Sequence, residues 1–180
     1  NYGVLIDTLQ DQSDNGIVEK YCFGDNENDC IIYGALYQWD ELMEYTQVEG
    51  AQGICPEGWH VPTDSEWCIL ENFVDSGIVD CNATGYRGND CGGNLKDTSN
   101  LWLPPNTGAT NSSGFSVIPA GYYNVYYQQI LRDNTASSFF TSSQNSDGKY
   151  WTRGFISNHS DSYRASLNGE NGLSLRCIKD

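Results

Sequence analysis

Cys68, His60 and His159 are the side chains in this sequence that could support nucleophilic catalysis. A reactive cysteine needs a neighbouring base or positive charge that favours its thiolate form. Nothing basic lies near Cys68 in the sequence, and neither histidine has a cysteine or an acid at a useful spacing. We therefore interpret Cys68 as a buried thiol and His60 as a structural hydrogen-bonding residue. The prediction is a protein that is not an enzyme and needs no cofactor.

Two acidic turns, residues 11–16 and 25–29, have oxygen-bearing side chains at roughly the spacing of a calcium-binding loop. Such a loop requires Gly at its sixth position and a bidentate Glu at its twelfth. Cys22 stands where the first turn would need Glu, and Cys30 stands where the second would need Gly. Both segments are interpreted as Asx-rich turns, and no metal site is predicted.

The negative charge is concentrated in the first half of the chain. The 180 residues carry a formal net charge of −15, and residues 1–80 contain seventeen Asp and Glu against Lys20 alone. Binding to nucleic acid requires a basic surface, so nucleic acid is not an expected partner. No apolar run is long enough to cross a bilayer, so no membrane span is expected.

Seven cysteines without a CxxC pair, together with only two histidines, favour disulfides over zinc. Disulfides form in oxidising compartments, so we expect an extracellular or cell-surface, secreted protein. We predict the pairs Cys22–Cys30, Cys55–Cys177 and Cys81–Cys91, with Cys68 unpaired. Six cysteines allow fifteen connectivities, so the pairing stays open at this stage.

Aromatic and cationic side chains in the second half of the chain form the candidate binding surface. The predicted binding residues are Trp102, Tyr122, Tyr123, Tyr126, Tyr127, Trp151 and Arg153. Tyrosines beside an Asn- and Ser-rich loop suit contacts with sugars or proteins, although alternating tyrosines on a half-buried strand are the other explanation. Arg153, Arg164 and Arg176 could form a polar ladder, either for a ligand or paired with acids and carbonyls.

Local signals place the elements that would position these residues. Thr63 and Glu66 have the spacing of a capping box, which predicts a helix that runs to about Val74. A second helix is expected from Gly34 to Met43, and residues 76–114 are expected to be a long irregular excursion. Short antiparallel strands are predicted at Phe115–Pro119, Gly121–Tyr127, Phe139–Ser143, Lys149–Phe155, Ser162–Leu167 and Gly172–Ile178, after earlier strands at Val4–Ile6 and Val18–Phe23.

Several ordered blocks together resemble the Fibrobacter succinogenes major paralogous domain, a family found in Bacteroidota and related bacteria. These blocks are Glu19–Phe23, Cys30 with Tyr33–Trp39, Cys55–Trp67, Gly114–Tyr122 and Gly172–Asp180. The resemblance implies an α+β, C-type-lectin-like fold with short antiparallel strands, two helices, long irregular loops and stabilising disulfides. It implies one domain over 1–180, with an N-terminal part at 1–50 that carries the Cys22–Cys30 loop and a lectin-like core at 51–180.

The resemblance implies no established activity, and the calcium-dependent sugar motifs of C-type lectins, Glu-Pro-Asn, Gln-Pro-Asp and Trp-Asn-Asp, do not occur. The first function expected is a non-catalytic binding or adhesion module that recognises a glycan or surface protein, with function in the loops between residues 76 and 172. The alternative is a structural subunit of an extracellular bacterial filament or surface assembly, which would require self-assembly. A third class is an enzyme that resembles the formylglycine-generating enzymes, which would depend on Cys68.

Overall fold

All the helices precede residue 96 and the last six elements are strands in a computed structural model that describes residues 1–180. The helices are α1 (Glu27–Tyr33), α2 (Trp39–Leu42), α3 (Asp64–Val74) and α4 (Cys91–Leu95), with a short 3₁₀ turn at Phe23–Asp25. The strands are β1 (Val4–Leu5), β2 (Glu19–Lys20), β3 (Trp59–His60), β4 (Gly85–Arg87), β5 (Tyr122–Asn124), β6 (Gln129–Leu131), β7 (Ala136–Gln144), β8 (Tyr150–Ile156), β9 (Ser162–Leu167) and β10 (Ile178–Lys179).

One four-stranded antiparallel sheet, in the order β4-β9-β8-β7, forms the centre of the molecule. Its register places Arg153 of β8 directly opposite Arg164 of β9, and Phe139 of β7 opposite Arg153. Because side chains alternate between the two faces of a strand, these three residues share a face. The other strands form two-stranded pairs, of which β1 and β2 are parallel.

Helix α3 begins at the predicted capping box. The Thr63 hydroxyl accepts a hydrogen bond from Glu66 N (3.2 Å), and the Glu66 carboxylate accepts one from Thr63 N (2.8 Å). The helix packs against the sheet through Trp67, which lies in one buried cluster with Phe139 and Phe155. The capping box therefore sets the start of the element that covers the arginine-bearing face.

The second buried cluster joins the first fifty residues to the rest of the chain. Trp39 stacks on Tyr150 with ring centroids 3.7 Å apart, and its Nε1 donates to the carbonyl of Thr141 (2.8 Å). Tyr37 exchanges backbone hydrogen bonds with Leu173, in the last segment of the chain. Residues 1–50 and 51–180 thus share one buried apolar cluster, and removing that surface from water stabilises the fold.

Two of the three predicted disulfides are present, and the third prediction is wrong. Cys22 is bonded to Cys30 and Cys55 to Cys177, but Cys81 is bonded to Cys68, which leaves Cys91 as a free, buried cysteine. Asn72 explains the pairing, because its side chain bonds both backbone groups of Val79 (2.9 and 3.1 Å). This contact brings the segment leading to Cys81 back against α3.

The secondary structure corrects the sequence prediction at several points. Four helices are present instead of two, because the turn between Cys22 and Cys30 contains α1 and the excursion at 76–114 contains β4 and α4. The second predicted helix is limited to Trp39–Leu42, since Leu36 instead pairs with Tyr21 in an isolated bridge. The predicted strands at 115–119 and 172–178 are mostly irregular, with isolated bridges, some of them parallel, at Val117 and Ser174.

Candidate binding groove

A cluster of five charged side chains, here called the ion-pair cluster, lies between α3 and the central sheet: Asp64, Glu71, Arg87, Arg153 and Arg164. Arg164 donates to both carboxylate oxygens of Asp64 (3.0 and 2.7 Å), and Arg153 donates to Asp64 Oδ1 (2.7 Å). Glu71, which is fully buried, pairs with Arg153 Nε (3.1 Å) and with Arg87. Burial alone would raise the pKa of Asp64, but the two arginines lower it below its usual value.

Of the two explanations for the predicted arginine ladder, the ion-pair cluster supports pairing with acids over ligand binding. Arg153 and Arg164 lie side by side as the strand register requires, and both are buried. Arg176 does not join them, because its exposed side chain lies against the Phe115 ring (5.0 Å) and Nη2 donates to the carbonyl of Ser116 (3.2 Å). Assigning Arg153 to a ligand-binding surface was therefore wrong.

The predicted aromatic binding residues do not form one surface. Trp102 is buried and donates to the carbonyl of Val117 (2.9 Å), and Tyr123 is buried and stacked on Tyr21 (4.2 Å). These two residues are part of the core, so predicting them as surface contacts was wrong. Trp151 is half-buried beneath the guanidinium of Arg164, 3.4 Å from its ring centroid, and Tyr122 is half-buried in β5.

Tyr126 and Tyr127 are the predicted binding residues that the structure does expose. They lie in the turn between β5 and β6, with 84% and 61% of their surface accessible. Their rings meet edge to face with centroids 5.0 Å apart. This pair presents an amphipathic aromatic surface to the solvent.

The side chains considered for catalysis have partners in the fold. His159 contacts Asp161 through Nδ1 (3.1 Å) and stacks on Tyr86 (3.8 Å), so the prediction that it has no acid partner was wrong. Both ring nitrogens of His60 contact carboxylates, Nδ1 that of Asp180 (2.7 Å) and Nε2 that of Glu66 (2.9 Å). The Asp180 contact raises the pKa of His60, burial opposes the rise, and Glu66 adds to it. Cys68 is bonded to Cys81, so the prediction of a free thiol at Cys68 was wrong. The free cysteine is Cys91, and burial raises the pKa of its thiol to about 11. No three His, Cys, Asp or Glu side chains are grouped as metal ligands.

The largest concave feature is a cavity of about 510 Å³ beside the Cys55–Cys177 disulfide. The residues in its wall include Tyr2, Gln52, Glu44 and Glu57. The Tyr37 hydroxyl donates to the backbone carbonyl of Tyr2 (2.7 Å), which fixes the backbone here while 65% of Tyr2 stays exposed. The cavity combines tyrosine rings with amide and carboxylate groups, a mixture typical of ligand sites.

A second cavity of about 270 Å³ adjoins the first, because Asn1, Tyr37 and Leu175 line both. We call the two together the groove. Ser137 and Ser174 lie in the wall of the smaller cavity, and their hydroxyl oxygens are buried with no hydrogen-bond partner in the protein. Arg176 lines the same cavity. Most of the groove wall lies outside residues 76–172, the region where function was expected.

The sequence matches the Fibrobacter succinogenes major domain over residues 3–179. The chain belongs to this family. The match covers nearly the whole chain, and it confirms the resemblance that the separated sequence blocks indicated. No curated protein and no solved structure matches the chain significantly. None of the helices of this major domain has the length and apolar character needed to span a bilayer.

The groove of this major domain could not be found from local sequence patterns. Its wall combines residues near the start of the chain, the segment around Cys55, one edge of β7 and the segment Ser174–Cys177. The one usable signal was Arg176, a cation in a terminal segment that otherwise alternates apolar residues. The sequence pattern grouped Arg176 with Arg153 and Arg164 in a possible ladder. Strand alternation gives the face on which a side chain lies but does not show which residues it contacts.

Proposed function

We propose that this domain is a secreted, non-catalytic binding module with a C-type-lectin-like fold that recognises a glycan in the groove. The observation that carries the proposal is the groove itself, two adjoining cavities of about 510 and 270 Å³ that share the wall formed by Asn1, Tyr37 and Leu175. Together they have the size of an extended ligand of several units, since sites for drug-sized ligands measure roughly 300–1,000 Å³.

The groove wall favours a glycan over a purely apolar ligand. Sugars present apolar ring faces beside hydroxyl groups, so they need surfaces that offer both kinds of contact. Tyr2 supplies an exposed aromatic ring, Gln52 an amide, and Glu44 and Glu57 carboxylates that can accept hydrogen bonds from sugar hydroxyls.

A non-catalytic role is supported by how the reactive side chains are used. A general base needs a nitrogen that is free to accept a proton from the substrate, and both nitrogens of His60 already contact carboxylates. A nucleophilic cysteine needs access and a lowered pKa, whereas Cys91 is buried and its pKa is raised. Three disulfides support a location outside the cytoplasm.

A glycan array probed with the folded, disulfide-bonded domain tests the proposal. Tyr2→Ala should remove an exposed ring from the groove and weaken binding to any glycan that is recognised by about tenfold or more. Because the bond from Tyr37 goes to the Tyr2 backbone, this substitution should leave the fold intact. Tyr126→Ala is the matched control at the β5–β6 turn. Loss of binding in Tyr126→Ala but not in Tyr2→Ala would move the site to the turn, and no glycan binding would overturn the proposal.

An apolar face on α3 favours a second candidate function, a subunit of an extracellular assembly. Phe73 is 85% exposed, and Ile69 lies one turn before it on the same side of the helix, also exposed. Exposed apolar patches frequently mark protein interfaces. Analytical ultracentrifugation across protein concentrations tests this candidate: self-association that Phe73→Ser abolishes supports it, and a monomer at every concentration argues against it.

A further inference from the structure

Arg176 differs from every other arginine in the chain. The sequence contains five arginines, and Arg87, Arg132, Arg153 and Arg164 each lie within ion-pair distance of an acid. Arg176 has no acidic partner, although acids outnumber bases by fifteen in this chain. A guanidinium has five N–H donors, and Arg176 uses one of them within the protein, toward the carbonyl of Ser116. Arg176 is also one of the residues that line the smaller cavity, and its other N–H groups have no hydrogen-bond partner in the protein.

Two further donors in that cavity also have no partner. Ser137 and Ser174 are more than nine-tenths buried, and neither hydroxyl is hydrogen-bonded within the protein. Buried polar groups are almost always paired, and an unpaired one is destabilising. A ligand atom that accepts hydrogen bonds from both hydroxyls would remove this cost. Two hydroxyls and an arginine in the wall of one cavity make a set of donors that suits an anionic group.

The two ends of the groove carry opposite charges. Glu44 and Glu57 line the larger cavity, whereas Arg176 is the charged side chain of the smaller one. An acidic group is therefore favoured at the Arg176 end and disfavoured at the other end. The smaller cavity, at about 270 Å³, has room for one unit of a larger ligand.

We propose that the smaller cavity binds the carboxylate of a single acidic sugar, such as a hexuronic acid, held by Arg176 and by the hydroxyls of Ser137 and Ser174. This inference rests on the proposed glycan-binding function and specifies its ligand. The guanidinium matches a carboxylate with two parallel hydrogen bonds, which an ammonium group cannot reproduce. Neutral sugar units then extend into the larger cavity, where the carboxylates of Glu44 and Glu57 accept hydrogen bonds from the sugar hydroxyls.

Isothermal titration calorimetry with two matched oligosaccharides tests the inference, one that ends in a hexuronic acid and one that ends in the corresponding hexose. The native domain should bind the acidic ligand more tightly. Arg176→Gln should weaken that binding by roughly tenfold to a hundredfold, the value of a hydrogen bond to a charged group, and should weaken binding of the neutral ligand much less, because the neutral ligand loses no charged partner. Arg176→Lys should recover only part of the loss. Lys149→Gln, which removes an exposed charge on the β7–β8 turn, controls for the change in net charge.

Substituting Ser137 and Ser174 tests whether these residues serve ligand binding or only the fold. Replacing Ser137 and Ser174 together by Ala should weaken binding of the acidic ligand severalfold, while thermal stability stays constant or increases because two unpaired hydroxyls are removed. A clear loss of stability would contradict the assigned role.

The outcomes distinguish this inference from the proposed function. If Tyr2→Ala weakens binding but the acidic and neutral ligands bind the native domain equally, the glycan-binding groove stands and the carboxylate site is overturned. If neither sugar binds but a peptide with one acidic residue binds through Arg176, both the glycan-binding function and the acidic-sugar assignment are overturned.

Discussion

The ion-pair cluster and the Arg176 end of the groove use the same chemical group in opposite ways. In the cluster, Arg153 and Arg164 are buried and share the carboxylate of Asp64 at 2.7 Å. In the groove, Arg176 is exposed, forms no ion pair, and lines the same cavity as two serines whose hydroxyls have no partner. Both sites combine residues from early and late parts of one small domain.

This difference separates residues that maintain the fold from residues that are available to a ligand. A charge stays buried only when its ion pairs and hydrogen bonds offset the free-energy cost of removing it from water. The charges of the ion-pair cluster are therefore neutralised within the fold and are not available to a ligand. A charge that stays unpaired at a cavity wall, in a strongly acidic chain, has not been used by the fold. Residue type alone therefore does not identify a binding arginine, but its pairing does.

The largest effect that would test this comparison is expected at Glu71 in the ion-pair cluster. Glu71→Gln keeps the shape but leaves Arg87 without a carboxylate partner and Arg153 with only that of Asp64, and should lower the free energy of unfolding by about 3–5 kcal/mol. Urea unfolding followed by tryptophan fluorescence measures it. Glu57→Gln, on the exposed wall of the groove, is the control and should change stability by no more than about 0.5 kcal/mol. Equal effects at the two positions would contradict the comparison.

The pH dependence of stability should also separate the two regions. The pKa of Asp64 is lowered in the folded state, so its contribution is present above the ordinary carboxyl pKa and is lost as the pH falls below about 4. The pKa of His60 is raised, so its contribution is complete below about 6.5 and is lost as the pH rises through the raised value.

Thermal unfolding between about pH 2 and pH 9 should therefore show the Asp64 contribution lost on the acid side and the His60 contribution lost above neutral pH. Asp64→Asn should flatten the acid limb of this profile, and His60→Asn should flatten the limb above neutral pH. Arg176→Gln should leave the shape unchanged, because an arginine keeps its charge throughout this range. A change in shape caused by Arg176→Gln would show that Arg176 is coupled to the ionisable groups of the fold.

A smaller effect is expected at the start of α3, which holds Asp64 in the cluster. Thr63→Ala removes the capping hydroxyl and should cost about 1 kcal/mol. Thr84→Ala, at an exposed position in the excursion, is the matched substitution and should have almost no effect. If Thr63→Ala costs several times more than a cap is worth, the helix start and the ion-pair cluster are energetically coupled.

The smallest effect on stability is expected for Arg176→Gln itself, within about 0.5 kcal/mol. Its contacts with Ser116 and Phe115 are exposed and include no ion pair. Denaturant unfolding of this variant beside Glu71→Gln measures the contrast directly. A loss of more than about 1 kcal/mol would assign Arg176 to the fold and weaken its proposed role in binding.

The sequence was informative wherever the determining contacts are local or strongly patterned. Thr63 and Glu66 are three residues apart, so their capping box could be predicted and is present. Ser162–Leu167 is a strand with the predicted limits, and Arg153 and Arg164, two of the three arginines that could have formed a ladder, lie on one face. The Cys55–Cys177 bond and the family were also correctly identified, because the blocks around them occur in a fixed order.

Only the tertiary structure decided which side chains meet across long stretches of chain. The pairing of Cys68 with Cys81 depends on Asn72 holding Val79 against α3, a contact that spacing between cysteines does not reveal. The groove depends on residues from both ends of the chain meeting beside β7. Periodicity predicts the face of an element on which a residue lies, but its partner depends on how the elements pack. For that reason the sequence determined the family, the main helix and two disulfides, and the packing determined that Arg153 is structural while Arg176 is free.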